Sequence, residues 1–448
     1  MFPSRIICVA LLLARMPALS AADVQKPNIV IIQADDLGYG DLGCYGGTFI
    51  PTPNIDRMAT EGMRFTQAYA GSTVCAPSRC TLMTGLHTGH AQVRENTRVG
   101  QEGQQPLAAG TFTLARLLKN AGYVTGAFGK WALGGPGSSG EPAQVGFDDF
   151  FGYLDQNLAH NYYPTMLRRH AEEVPLDGKT YSHTLIFEAA LDFIDNSGGK
   201  PFFLYLPVTL PHGKLDVPDA SAFAGQPWPQ PLKNYAAMVA LLDRDVGRLL
   251  NRLDANTLVF FTSDNGPEVA YFRKLFPEHV HTLDSNGPLR GFKRDLYEGG
   301  IRVPLIVRWP GRVKPGVSRH VCAFWDILPT PGEITGQPVP ANLDGLSFAP
   351  TLLGQPGQKH HDHLYWEFHE EGFAQAVRFR DWKAVRRGPA ASVEIYDLKD
   401  DIGETVDLAL QQPDLVSRAL DLFRTGRTDS PAVQLNPATT PGSGFSSL

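Results

Sequence analysis

Cysteine is scarce in this chain. Its 448 residues include five, and Cys8 falls in an N-terminal stretch that reads as a leader. That leaves Cys44, Cys75, Cys80 and Cys322, too few and too scattered for a disulfide scaffold, and none at zinc-ligand spacing from histidines. Each must therefore be judged alone. Positive charge is not concentrated either: 40 Lys and Arg stand against 46 Asp and Glu, a formal charge of −6 with no long basic run. Nucleic acid is excluded as an expected partner on that ground. No apolar run is long enough to span a bilayer, so no integral membrane segment is expected after leader removal. A hydrophobic share of 43% excludes disorder over the whole chain.

What is present begins with a secretory signal. Arg5 gives a short positive region, residues 6–14 are apolar, and Ala18-Leu19-Ser20-Ala21-Ala22 offers small residues for cleavage, although Arg15 interrupts the apolar stretch. A signal peptide over residues 1–22 and an exported, periplasmic or secreted, product are expected. Behind it β-like and helical stretches alternate. Residues 28–33 (NIVIIQ) form a short branched apolar run of the kind found in buried parallel strands, and residues 123–128, 201–208, 258–262 and 305–309 are similar. Residues 113–120 and 235–253 carry apolar positions at helical spacing. This alternation predicts an α/β fold with a mostly parallel sheet covered by helices. Past residue 340 come short strand candidates at 364–368, 376–379, 383–385 and 394–396, then a closing helix at 413–423. The expected division is a main domain over 23–340, a smaller C-terminal subdomain with a short antiparallel sheet over 341–428, and a disordered tail over 429–448.

Ligands in open α/β sheets bind beyond the carboxyl ends of the strands. Four strands here run into unusual polar groups: Asp35-Asp36, Gly129-Lys130-Trp131, Pro211-His212 and Asp264-Asn265-Gly266. Any one alone reads as a turn or cap; on a parallel sheet all four share one edge. Asp35, Asp36, Asp264 and Asn265 would form an all-oxygen set whose carboxylates repel unless a cation joins them. Oxygen donors favour a hard ion, calcium or magnesium, over zinc or copper. In Cys75-Ala76-Pro77-Ser78-Arg79-Cys80, Pro77 suits the first turn of a helix running to Gly85. Cys75 would then lie at or just before its N-terminus, where N–H groups favour negative charge and a thiolate would be a nucleophile. The alternative for a lone cysteine is a buried structural residue.

Cys75-x-Pro77-Ser78-Arg79 followed by Cys80-Thr81-Leu82-Met83-Thr84-Gly85 resembles the motif of the formylglycine-dependent sulfatase family. The likeness continues through Asp35-Asp36, Lys130, His212, Asp264-Asn265, residues 289–293 (LRGFK) and residues 298–300 (EGG). The resemblance implies an alkaline-phosphatase-like fold with residues 23–340 as the catalytic domain of an arylsulfatase-like sulfuric ester hydrolase. It also implies that a formylglycine-generating enzyme oxidises Cys75 to the aldehyde 3-oxoalanine, with Pro77 and Arg79 on its recognition positions. One divalent ion per chain, Ca2+ with Mg2+ as the alternative, would be held by Asp35, Asp36, Asp264, Asn265 and the modified Cys75. Arg79, Lys130 and Lys293 would neutralise the sulfate, and His212, aided by Lys293, would protonate the leaving alcohol.

One position departs from the motif. Where many sulfatases carry a histidine, residues 129–134 read GKWALG, and Ala132 cannot carry a proton; His160, His183 and Asp36 are the candidates for that role. Residues 134–164 resemble a subgroup of bacterial sulfatases acting on sulfated polysaccharides, which implies substrate-facing positions at Gln156, His160, Tyr162 and Tyr163, the tyrosines having core packing as their alternative. A second rim is expected around residues 365–370, where Tyr365, Glu367 and His369 alternate with Trp366 and Phe368, one face closing the pocket and the other in the core. The expected substrate is a sulfated glycan, with 4-O-sulfated galactose or N-acetylgalactosamine preferred. Two other readings fit the same sequence: a phosphate or phosphonate ester hydrolase of the same superfamily, and a non-catalytic glycan-binding homologue.

Overall fold

The computed structural model describes residues 26–429 apart from residue 371. The expected signal peptide, with Cys8, and all but residue 429 of the expected tail lie outside the described residues. Strands Thr257–Ser263, Asn28–Ala34, Phe202–Pro207, Val124–Lys130 and Asp149–Tyr153 lie side by side in that order and run parallel. The apolar runs within them follow from cover on both faces. Along Asn28–Ala34, Ile29 and Ile31 enter one core while Val30, Ile32 and Ala34 enter the other; Phe260 and Phe261 divide the same way on the next strand. Helices Cys75–Thr84 and Leu114–Asn120 fill one core, and helices Ser182–Asp195 and Gln230–Leu250 the other. Thr113 caps the second of these helices by accepting the Arg116 N–H at 3.1 Å.

Short strands extend the sheet to ten. Leu305–Arg308 runs antiparallel to both Thr257–Ser263 and Met63–Phe65, and the hairpin Met166–Arg169 with Glu172–Pro175 adds two more antiparallel strands beside Asp149–Tyr153. Gly316–Ser318 closes the other edge, parallel to Met63–Phe65, so the sheet is mixed around a parallel centre.

The last part of the chain forms a separate antiparallel sheet of Leu364–Phe368, Ala374–Phe379, Trp382–Arg386 and Glu394–Asp397. Trp366, Phe368, Ala376 and Val385 pack against Tyr69, Val74 and Trp325. On the other face Tyr365, Val377, Ala384 and Ile395 pack with Ala419 and Phe423 of helix Pro413–Thr425. Both faces of Leu364–Phe368 are thus buried, so neither closes a pocket as the alternation suggested. A buried ion cluster joins the sheet to the main body: Lys383 Nζ lies 2.9 Å from Glu298 Oε1 and 2.9 Å from Glu404 Oε1.

Candidate active site

Strand register decides what meets at the carboxyl edge. Ala34 pairs with Ser263, so Asp35 and Asp264 leave adjacent strands side by side. The Asp264 N–H donates to Ala34 O (3.0 Å), and the Asp35 N–H donates to Leu210 O (2.9 Å) in the segment leading to His212. Asp36 turns away in the left-handed region (φ 63°), which aspartate tolerates better than most residues; its N–H donates to Asp264 Oδ1 at 3.1 Å. Asp35, Asp36 and Asp264 are all buried.

Helix Cys75–Thr84 aims its first residue at this edge. Gly85, left-handed at φ 72°, ends it with an N–H bond to Thr81 O. Ser78 Oγ donates to Asp264 O, while Arg79 donates through Nη2 to Asp264 Oδ2 (2.7 Å) and through Nη1 to Lys130 O (2.8 Å). The Cys75 thiol is 3.6 Å from Asp35 Oδ1. Burial pushes that thiol up to about 12, outweighing the downward pull of Lys130 and Lys293. The thiolate suggested by its place on the helix is therefore not the neutral-pH state: the sulfur stays protonated because desolvation exceeds the attraction of nearby cations.

Three buried cations face the three carboxylates. Lys130 Nζ donates to Asp35 Oδ2 at 2.7 Å. Lys293 Nζ donates to both oxygens of Asp36 at 2.7 Å and reaches His212 Nε2 at 3.0 Å. Burial raises the Asp35 carboxyl, but Lys130 and Arg79 more than offset it and hold it below its ordinary range. For Asp36 burial wins over Lys293, and the charges of Asp35 and Asp264 push the same way. Burial, followed by Lys293, keeps His212 neutral. Nε2 also lies 3.2 Å from Asp36 Oδ2, so it faces both the ammonium and the carboxylate, while Nδ1 is buried without a partner. His160 lies face to face on this ring, centroids 4.0 Å apart at 15°.

The donor set fits a hard cation. Asn265 Nδ2 donates to Asp36 Oδ1 (2.7 Å) and Gly266 O (2.8 Å), leaving its Oδ1 buried with no partner. Leaving such an oxygen unmet costs about 1–3 kcal/mol. Ligating atoms of Asp35, Asp36, Cys75 and His212 all lie within 4.8 Å of one another; Asp264 is not one of that group, and its Oδ1 accepts the Asp36 N–H at 3.1 Å. Asp35, Asp36, Asp264 and Asn265 are the residues that could hold such a cation; His212 shares the space, but its Nε2 is engaged by Lys293. The loop that brings Lys293 depends on close backbone approach. A Cβ on Gly266 would fall 1.8 Å from Gly299 O, and one on Gly299 2.2 Å from Gly291 O.

The other expected site residues divide. Gln156 follows strand Asp149–Tyr153 on the same edge and is buried with Oε1 unpartnered. Tyr162 is core: its hydroxyl donates to Thr209 O (2.6 Å) and His212 O (2.8 Å), fixing the His212 turn. His183 pairs with Asp245 at 3.0 Å between two helices, which removes it from the candidates for the role vacated at Ala132. The His369 imidazole is taken up by Glu367 (3.1 Å) and lies beside Phe373. One residue on, Glu370 reaches the Cys75 turn through Asn96. Asn96 carries no sequence signal, since it is defined by partners far away in the chain; Glu370 falls at the end of the expected rim, but its bond to Asn96 was not foreseen.

Comparison with known proteins agrees with this geometry. The Sulfatase family model matches residues 27–337, and that of the N-sulphoglucosamine sulphohydrolase C-terminal region matches residues 291–418. N-acetylgalactosamine-6-sulfatase of Canis lupus familiaris is 35% identical over 75% of this chain and 67% of its own. N-acetylgalactosamine-6-O-sulfatase of Bacteroides thetaiotaomicron is 32% identical over 90% of this chain and 94% of its own. The crystal structure of Ps i-CgsB in complex with k-i-k-neocarrahexaose superposes with a TM-score of 0.77 at 30% identity, covering 90% of this chain and 93% of that one. With its fold and motif residues matched from the first strand to the C-terminal sheet, the chain belongs to the sulfatase family.

Proposed function

We propose that the chain hydrolyses a sulfate ester on a carbohydrate, with residue 75 as nucleophile after oxidation of Cys75 to formylglycine and with one Ca2+ held by Asp35, Asp36, Asp264 and Asn265. The observation that carries this reading is the convergence of Asp35, Asp36, Cys75 and His212 within 4.8 Å, framed by Arg79, Lys130 and Lys293. A thiol that stays protonated is a weak nucleophile, which favours the modified residue over the bare cysteine. The hydrated aldehyde supplies one hydroxyl to attack sulfur and a second to expel sulfate afterwards, which a lone thiol or serine hydroxyl cannot do. An ion held there would supply Lewis acidity toward the sulfate.

The remaining work falls to side chains. Three cations already balance three carboxylates, so an added divalent ion leaves the pocket positive and attractive to an anionic sulfate. Arg79 and Lys130 hold Asp35, Asp264 and the first turn of helix Cys75–Thr84 in register. A neutral His212 is a poor acid by itself. As the ring hydrogen of His212 passes to the leaving oxygen, the ring can take a proton from the Lys293 ammonium, 3.0 Å from Nε2, so the acid is the pair. His160, stacked on His212, holds that ring and is the proposed stand-in for the histidine missing at Ala132. Gln156 faces the substrate.

The names of the relatives support a sulfated carbohydrate. The 4-O position on galactose or N-acetylgalactosamine and the 6-O position on N-acetylgalactosamine are the two to separate. Export and maturation by a formylglycine-generating enzyme complete the proposal. The test is intact mass of the Cys75 peptide, then sulfate release from 4-O- and 6-O-sulfated sugars alongside nitrophenyl sulfate and nitrophenyl phosphate. Sulfate release that disappears in Cys75→Ala and with chelation is expected. A strong preference for the phosphate, or glycan binding with no release by modified protein, would overturn the reading.

A further inference from the structure

The first turn of helix Cys75–Thr84 has no cap of its own. Val74 occupies the N-cap with no side-chain bond, yet the first N–H groups of a helix need outside acceptors. One is brought from another segment: Asn96 Oδ1 accepts the Ala76 N–H at 3.0 Å. Asn96 is held in turn, its N–H donating to Glu370 Oε1 at 2.7 Å. Two residues earlier the buried Arg94 donates to Glu367 Oε1 (2.8 Å) and to Thr428 O (2.8 Å). Strand Leu364–Phe368 also grips the chain on both sides of the helix. Trp366 Nε1 donates to Ala70 O (2.9 Å) before it, and the Glu367 N–H donates to Thr88 Oγ1 (2.9 Å) after it.

We infer that Asn96 is a positioning residue for residue 75, held in place by Glu370 from the turn between the first two strands of the C-terminal sheet. This rests on the reading of residue 75 as nucleophile. Residues 75 and 76 are consecutive, so a shift of the Ala76 N–H moves the attacking group relative to Asp35 and the cations. Displacement by about 1 Å in a near-attack arrangement costs on the order of a hundredfold in rate. The C-terminal sheet is then part of the catalytic apparatus, although in this inference it supplies no group to the chemistry.

Four variants of the full chain, with Cys75→Ala as control, test the inference. Turnover is expressed per chain carrying modified residue 75, measured by peptide mass. Asn96→Leu keeps the size and removes the acceptor; kcat should fall roughly tenfold to hundredfold, with KM within about threefold of wild type and Ca2+ affinity unchanged. Asn96→Asp keeps an oxygen for the Ala76 N–H and should recover most of that loss. Glu370→Gln retains an acceptor for the Asn96 N–H and should stay well above Glu370→Ala. Normal kcat in Asn96→Leu, a loss confined to KM, or an Asn96→Asp as slow as Asn96→Leu would overturn the inference. If Asn96→Leu does not fold, the Glu370 pair decides, and equal rates in Gln and Ala overturn it. Wild-type turnover in Cys75→Ala would instead overturn the nucleophile reading itself.

Discussion

Lys293 holds two functional groups at once, and Lys293→Met separates its charge from its bulk. In the native pocket the ammonium lies 2.7 Å from each oxygen of Asp36 and 3.0 Å from His212 Nε2. Coulomb's law at an effective dielectric of about 20 gives roughly 6 kcal/mol for unit charges at that separation. Desolvation takes part of this back, and removing one partner of a buried pair typically costs about 3–5 kcal/mol. In the variant Asp36 loses its strongest opposing cation, so its carboxyl rises further and is less often ionised for a metal. His212 loses the ammonium beside its Nε2 and with it the proton source. Losing one preorganised charge in a buried site lowers kcat by about a hundredfold to a thousandfold. Sulfate release from a sulfated sugar is followed by ion chromatography, and Ca2+ affinity by calorimetry at two pH values. Expected is a kcat loss of that size with weakened Ca2+ binding that improves as pH rises. A kcat within about threefold of wild type, or Ca2+ affinity unchanged at both pH values, would refute the assigned role of Lys293.

Other outcomes follow from the same centre. Asn265→Ala removes the buried unpartnered oxygen, so Ca2+ affinity should fall about tenfold or more and excess Ca2+ should restore part of the activity; titration calorimetry checks it. Burial raises the folded-state value of Asp36 from 3.8 to about 7, so without metal this group favours folding below about pH 4, and that contribution is lost as pH rises through the folded value. A divalent ion needs the ionised carboxylate, and the Tm gain from added Ca2+ should therefore be larger near about pH 8 than near about pH 5; an equal gain contradicts the ligand set. His212→Ala should lower turnover of a sugar sulfate by about a hundredfold or more, within the usual range for an acid catalyst, and hurt nitrophenyl sulfate much less, since nitrophenolate leaves without a proton. Equal losses on both substrates would take His212 out of that role.

What the sequence could reveal was set by how local each cause is. Residues 28–33 and 258–262 were legible as parallel strands because helices on both faces leave no polar alternation to confuse the pattern. Their polar successors were legible as a site because parallel strands release the chain on one edge, and register then fixes Asp35 beside Asp264. Met63–Phe65, Met166–Arg169 and Glu172–Pro175 were not legible: they are three or four residues long, each broken by charged residues, and defined by neighbours rather than by an apolar run. Histidines show the limit most plainly. His160 and His183 carry the same side chain in similar aromatic surroundings, yet one ring lies on His212 and the other pairs with Asp245, 62 positions away. The protonation state of Cys75 belongs to the same class, since the helix end argues for a thiolate and only the surrounding core, assembled from distant segments, reverses the sign. The alternation through residues 365–368 was legible, Tyr365 on one face and Trp366 with Phe368 on the other, but that both faces are covered, and that His369 pairs with Glu367, depends on segments distant in the chain. Where the chemistry depends on a net balance of burial and charge, as at residues 36, 75 and 212, the sequence names the participants, and the folded surroundings decide which of them holds a proton.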